Sequence, residues 1–488
     1  TSILRGAINF QTDDAKLFCI KKNKTSLQNI ISYILKDPNV SSEIEIDYSN
    51  FKFKKLSKIK DQPILIIDDE VDHASVDTGM KALDEEDNPN EEYNPKTINR
   101  LIRMLLNMYD RKSYIGYTAT PFANVFIHPK AKTKNEGEDL FPKSFIQDLP
   151  EPSNYYGIKK LFSKEGDDIE ESFLETIDDH CIDPGDVKCS KGWMPPKHLK
   201  LHEALFDGEN KHSLSLRKAI LNFIVSCSIR NLRGHLKQHK SMLIHVTKYI
   251  LVNEQVKFQV IKTMDRFRSI LLNPGTSEYD LLKEEVSKEI KEFSHKENYS
   301  FEDLMNFSEG IEDVITDISL NIKNLSGNSG DTLDYETYKN KYNKGLQTII
   351  IGGDRLSRGV TLEGLSVSYF LRASKMYDTL MQMGRWFGYR DDYEDLCKLF
   401  TTDDLIDWFY YIAEATEELK LQFRIMSEQN LTPRDFGLKV KSHPLLMVTS
   451  RVKMQHGYKI KSSFIDHFGQ TTSFDLMKVD QNYKTAKK

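Results

Sequence analysis

Cysteine is scarce in this chain: Cys19, Cys181, Cys189, Cys227 and Cys397 are the only five in 488 residues. They build no disulfide framework, which fits a reducing, cytoplasmic compartment. His180 and Cys181 followed by Cys189 have the wrong spacing for a zinc finger or ribbon, and no fourth ligand is evident. Long hydrophobic runs are missing too. None approaches the ~18–20 residues that cross a bilayer, and the opening Thr1-Ser2-Ile3-Leu4-Arg5 has no signal-peptide layout. A positive excess is also absent. The net charge of −5 argues against a protein that coats nucleic acid through bulk charge, although local basic channels are compatible with it. No repeat or low-complexity tract stands out.

What is present is the composition of a rather polar globular protein, 39% hydrophobic and 29% charged. A chain of this length exceeds one ordinary core, because single cores stop growing at roughly 250–300 residues. Ala15–Ile20 reads as a short buried strand, followed by a helix from Ser26 to Leu35. Ile64–Ile67 is an unbroken apolar run of the kind found in a parallel strand covered on both faces. Residues 77–95 form an acidic, turn-rich loop. A helical pattern over Thr97–Tyr109 then leads to a strand over Tyr114–Tyr117, and strand, helix, strand implies an α/β layer. Residues 128–210 are irregular and proline-punctuated. A helix over 213–233 and a strand over Met242–Val246 follow. Residues 251–345 are charged, amphipathic and without strand signals, and read as a helical insertion. Strands resume at Thr348–Ile351, Leu365–Leu371 and Leu396–Phe400.

Chemistry concentrates at two places. In a parallel sheet, ligands sit beyond the carboxyl ends of strands, so the acids that follow Ile67 stand where a nucleotide would bind. An aspartate there can hold magnesium through its water shell, and a neighbouring glutamate can orient and deprotonate a water. These roles go to Asp69 and Glu70, with Asp68 as the alternative metal-side carboxylate. Thr118-Ala119-Thr120-Pro121 ends the next strand with small hydroxyl residues able to hydrogen-bond those carboxylates and relay nucleotide state. Far along the chain, Gly352-Gly353 permits a tight turn, and Arg355, Ser357, Arg358 and Gly359 follow at a spacing suited to phosphates or a nucleic-acid backbone. Asp378–Arg390 then offers a helix presenting Arg385, or Arg390, to a facing cleft. An arginine so placed stabilises charge on γ-phosphoryl oxygens and is worth ~10³–10⁵ in rate.

The order of these segments resembles motifs II to VI of superfamily 2 helicase-like ATPases, and in detail the family called Z-one, often labelled endonucleases. The segments are Asp69–Ser75, Gly116–Phe122, Ser241–Val246, Gly353–Gly364 and Met381–Arg390. The resemblance spans about 15 to 455, and its last two segments are the specific ones. It implies an α/β fold with two RecA-like parallel-sheet domains and helical insertions, the first domain N-terminally incomplete. The expected divisions are 1–127 for the first RecA-like domain, 128–235 for a bridging region, 236–250 with 346–410 for the second, 251–345 for the helical insertion and 411–488 for a C-terminal extension. It also implies ATP and Mg2+ in the cleft and DNA across the domain tops. Coupling and ATP-binding roles then fall on Asp72, Thr118, Thr120, Gly353, Asp354, Arg358, Gly359, Gln382 and Gly384. Arg355 and Ser357, with the basic Lys439, Lys441 and Arg451, are the expected nucleic-acid contacts. The implied setting is a prokaryotic restriction-like or phage-defence system, with a nuclease or methylase as possible companions.

The pattern departs in two places. The phosphate loop G-x-x-x-x-G-K-[ST] should precede the carboxylates, yet Gly-Lys-Ser and Gly-Lys-Thr occur nowhere in the chain. The simplest expectation is that an N-terminal portion is missing from this sequence; the alternative is a nonhydrolysing scaffold. Superfamily 2 members also place a second arginine three residues after the first, where this chain has Gly388, so the choice between Arg385 and Arg390 stays open. A metal-dependent endonuclease is the third reading. Its best sequence candidate, Glu289-Ile290-Lys291, lies in a helical stretch rather than on adjacent strands.

Overall fold

The computed structural model describes residues 15–60, 62–79, 95–133, 135–162, 173–180, 193–195, 198–204, 213–293, 298–325, 333–353, 356, 360–372 and 374–460. The N-terminal part is built around helix α1 (Lys24–Ile34), the antiparallel pair β1 (Ile44–Asp47) and β2 (Lys52–Leu56), strand β3 (Ile64–Asp69), helix α2 (Thr97–Asn107) and strand β4 (Lys112–Tyr117). Asn23 caps α1 by accepting from the Ser26 amide at 2.8 Å, one position-type at which Asn is favoured because it satisfies an orphan helix donor. Strands β3 and β4 pair in parallel, Ile66 opposite Tyr114 and Asp68 opposite Gly116.

Two sequence expectations change here. Ala15–Ile20 is not a strand, and Leu17 is 95% exposed. A strand needs a neighbour to take its backbone hydrogen bonds, and among the described residues none lies beside this segment. Nor is β3 covered on both faces. Ile64 and Ile66 pack with Tyr114 against the core of α1 and α2, while Leu65 and Ile67 are 57% and 63% exposed. Unbroken apolar sequence therefore marks strand here without marking two-sided burial.

The larger part of the protein is a six-stranded parallel sheet. Its strands are β5 (Leu174–Thr176), β6 (Lys240–His245), β7 (Ile322–Asn324), β8 (Gln347–Ile351), β9 (Leu365–Phe370) and β10 (Lys398–Thr401), in the order β7-β8-β6-β9-β10-β5. Every residue of β6, β8, β9 and β10 is buried, as expected for a parallel sheet covered by helices on both faces. Both edge strands come from segments with no strand signal in the sequence. Strand β7 lies within 251–345 and β5 within 128–210; three-residue strands are too short to show a period-two pattern.

Helix α3 (Leu214–Leu232) crosses this sheet and is buried on all sides from Ala219 to Asn231. Its N-cap, Ser213, accepts from the Leu216 amide at 3.1 Å. Helix α4 (Ile250–Leu271), helix α5 (Ser277–Phe293) and helix α6 (Ile311–Leu320) are amphipathic and close the core on α3. Short helix α7 (Tyr377–Met383) follows β9, and long helix α8 (Asp403–Glu428) follows β10. Among the described residues no helix is long and apolar enough to cross a membrane.

Candidate functional site

The site grows from the carboxyl end of β3. Asp68 is buried, and both its oxygens are taken by protein donors: Lys22 Nζ at 2.9 Å on Oδ1, and Ser75 Oγ and Tyr114 Oη at 2.6 Å on Oδ2. Burial, with the Asp68 charge beside it, pushes the Tyr114 hydroxyl well above its ordinary pKa, so it stays a donor. Asp69 and Glu70 are exposed beyond it, and Glu70 turns the chain at φ 55°. Among the described residues, the Asp69 carboxylate receives only the Glu70 amide, at 3.1 Å. Asp69 is therefore the carboxylate with room for the water shell of a cation that holds one or two carboxylates and keeps several waters. Asp68 is occupied as a strut.

Asp72, two residues further, is fully buried and reaches the other half of the molecule. Its Oδ1 accepts from Thr118 Oγ1 at 2.8 Å, and its Oδ2 from Thr120 Oγ1 at 3.0 Å and from Gln382 Nε2 at 3.0 Å. Thr118 Oγ1 in turn accepts from the Thr120 amide at 2.9 Å. Close approach makes this possible: the Val71 amide donates to Tyr117 O at 3.0 Å, and a Cβ on Gly116 would lie 2.9 Å from the Val71 side chain. Lys453 Nζ donates to the Asp72 carbonyl at 2.8 Å and lies 3.6 Å from Asp378 Oδ2, which also accepts from Thr449 Oγ1 at 2.7 Å. A segment near the C-terminus thus threads between the carboxylate turn and α7.

The arginines differ in what they face. Arg385 is half-buried and donates from Nη2 to Val360 O at 2.6 Å; burial lowers its pKa and the Glu70 charge opposes that fall. Arg390 folds back on its own loop, donating to Trp386 O at 2.9 Å and Tyr389 O at 2.7 Å. Gly384 ends α7, its amide donating to Leu380 O at 3.1 Å. Gly353 packs on the loop after β6, where a Cβ would sit 3.0 Å from Lys248 Cα. Asp354, Arg355, Ser357, Arg358 and Gly359 lie outside the described residues, as do Cys181 and Cys189.

Of the basic residues near the C-terminus, Lys453 reaches the turn, and Lys439, Lys441 and Arg451 are engaged or exposed elsewhere. Lys441 Nζ pairs with Glu414 of α8 at 3.0 Å, the Lys439 amide donates to Gln422 of α8 at 2.9 Å, and Arg451 is exposed. Glu289 lies in α5, is 4% exposed and accepts from Asn222 Nδ2 at 2.7 Å; burial raises its pKa. Among the described residues, no group of three or more His, Cys, Asp or Glu side chains is placed to hold a metal.

Sequence reasoning gave Lys22 and Tyr114 no role at the turn and named Ser75 only as the end of the Asp69–Ser75 segment, while Lys453 falls in the basic stretch read as a nucleic-acid contact. One signal was available: Tyr114 shares the face of Ile66 and Asp68 by the period-two rule of paired strands. The lysines carried none, since each meets its partners only through the tertiary fold.

The fold is that of an α/β protein with a six-stranded parallel sheet and a separate two-stranded parallel pair that ends in the carboxylate turn. Residues 215–447 match the family described as the Z1 domain, a span that holds Gln382 and Arg385 but ends outside the carboxylate turn. No curated protein and no solved structure matches the chain.

Proposed function

We propose that the protein is a superfamily 2 helicase-like ATPase, a motor or remodelling enzyme on DNA, with the two parallel-sheet units acting as RecA-like halves. The observation that carries this reading is the Asp72 node. One buried carboxylate is held by Thr118 and Thr120 from its own side and by Gln382 from α7, so the turn bearing Glu70 is tied to the loop bearing Arg385. Asp69 suits the metal side, and Mg2+ bound there supplies neutralisation of phosphate charge. Glu70 orients the attacking water and takes its proton. Arg385 stabilises the charge that develops on the transferred phosphoryl oxygens. Asp72, Thr118, Thr120 and Gln382 pass the state of that cleft between the halves, which is what a motor on DNA requires. A prokaryotic restriction-like or phage-defence role, beside a separate nuclease or methylase, belongs to the same proposal.

The test is ATP turnover by the full-length protein, with and without single- and double-stranded DNA, beside Glu70→Gln and Arg385→Ala. Glu70→Gln is expected to lower kcat on the order of 10²–10⁴-fold, and Arg385→Ala on the order of 10³-fold or more. No turnover in a wild-type protein that binds DNA would sink the motor and favour a nonhydrolysing scaffold.

A further inference from the structure

Lys22 stands immediately before the N-cap of α1, and its ammonium is the point on which the carboxylate turn converges. Four acceptors lie within hydrogen-bond reach of Nζ: Asp69 O and Glu70 O at 2.7 Å, Asp68 Oδ1 at 2.9 Å and Ser75 Oγ at 3.2 Å. Two of them are consecutive main-chain carbonyls of the residues read as metal ligand and base. Glu70 adopts φ 55°, a left-handed conformation that a residue with a Cβ holds only when its surroundings impose it. Carbonyls aimed at one point repel each other, and a cation at that point removes the repulsion.

The lysine is itself well anchored. Its helix is capped by Asn23, and the Asp68 carboxylate it pairs with is 5% exposed and fixed on its other oxygen by Ser75 and Tyr114. An ammonium with three rotatable donors suits acceptors gathered around a point, whereas the planar guanidinium fork of arginine does not.

We propose that Lys22 is the positioning residue of the carboxylate turn: by clasping the Asp69 and Glu70 carbonyls to Asp68, it sets the direction in which the Asp69 and Glu70 side chains leave the strand. It rests on the ATPase reading above. Misplacing a reacting group by about 1 Å costs up to ~100-fold in rate, so the lysine acts on catalysis without touching substrate.

The bland alternative is that Lys22 only neutralises Asp68, and the double variant Lys22→Met/Asp68→Asn separates the two. It removes both buried charges together, so no uncompensated carboxylate is left inside, but the two carbonyls lose their donor. ATP turnover is measured against Mg2+ for the full-length wild type, this double variant and Lys22→Arg, with thermal melts and Mn2+ binding followed by electron paramagnetic resonance. The double variant is expected to melt close to wild type and to keep the ATP KM within about threefold, while kcat falls on the order of 10- to 100-fold and half-saturation by Mg2+ rises. Lys22→Arg should show the same loss. Wild-type kcat and Mg2+ dependence in either variant that folds overturns the proposal. A wild type without turnover fails the ATPase reading instead; the ratio of Mn2+ affinities then decides the role of Lys22, and a ratio near one overturns it.

Discussion

Two lysines open central strands of the large sheet and are solved differently. Lys398 is 3% exposed and meets Glu175 at 3.0 Å and Glu292 at 3.6 Å. Lys240 has no exposure and, among the described residues, donates only to carbonyls, His235 O at 2.9 Å and Gln238 O at 3.4 Å. Burial, helped by the nearby Arg230 charge, pulls its pKa from 10.5 down to about 8. Below about pH 8 the side chain is charged in both the folded and unfolded chain, and the penalty is fully present. As pH rises from about 8 toward 10.5 the folded chain has released its proton while the unfolded chain still holds it, so stability increases. Lys240→Met is therefore expected to raise stability at pH 7 by on the order of 1–3 kcal/mol, and to gain less at pH 10. Urea midpoints at the two pH values check it, and a gain that grows with pH would refute the assignment.

At the scale of elements, α3 is the part with least tolerance. Ile220, Phe223, Ile224 and Cys227 are all without exposure, and the helix lies between the sheet and α4, α5 and α6. Truncating Ile224 to alanine should cost ~2–5 kcal/mol, because a packed interior closes a cavity only partly. Leu214→Ala, on the same helix but 76% exposed, should stay within about 0.5 kcal/mol. Denaturant melts of the pair distinguish burial from helix propensity. Arg230, at the other end of α3, reaches Gly364 O at 3.1 Å and His239 O at 3.2 Å and lies over the Tyr393 ring at 4.0 Å. The helix thereby also sets where β6 and β9 begin.

At the scale of the whole molecule, the β3–β4 pair and the large sheet are joined by apolar packing, with Phe122 edge-on to Tyr377 of α7 at 5.7 Å, and by a few long-range polar contacts. Gln382 and Lys453 both reach Asp72, and Arg424 of α8 donates to Asp148 Oδ2 at 2.8 Å. Gln382→Leu cuts one of them without orphaning Asp72, which keeps both threonine donors. Folding should therefore change by less than about 1 kcal/mol. Turnover, if the halves work as proposed, should fall on the order of 10- to 100-fold because Arg385 loses its tie to the carboxylate turn. A melt unchanged with turnover unchanged would mean that the Asp72 node does not couple the halves.

How much of this was legible before the fold was known follows from the range of each interaction. Apolar runs at 242–246, 348–351 and 365–371 announced β6, β8 and β9, because every residue of a doubly covered strand is buried and the pattern is local. The acids after Ile67 and the Gly384-Arg385 pair were legible as short motifs for the same reason. The edge strands β5 and β7 were not, since three residues become a strand only when a neighbouring strand is there to bond them. Nor did the motif say which acid is available. Asp68 and Asp69 are adjacent and chemically alike, and only packing turns one toward Lys22, Ser75 and Tyr114 and the other outward. Contiguous residues carried the α/β class, the central strands and the residue types of the carboxylate turn and the Gly384-Arg385 loop. The tertiary structure alone decided that Gln382 meets Asp72 across 310 positions and that Lys22 closes the turn, because the partner of a hydrogen bond is chosen by the fold and leaves no periodic trace along the chain.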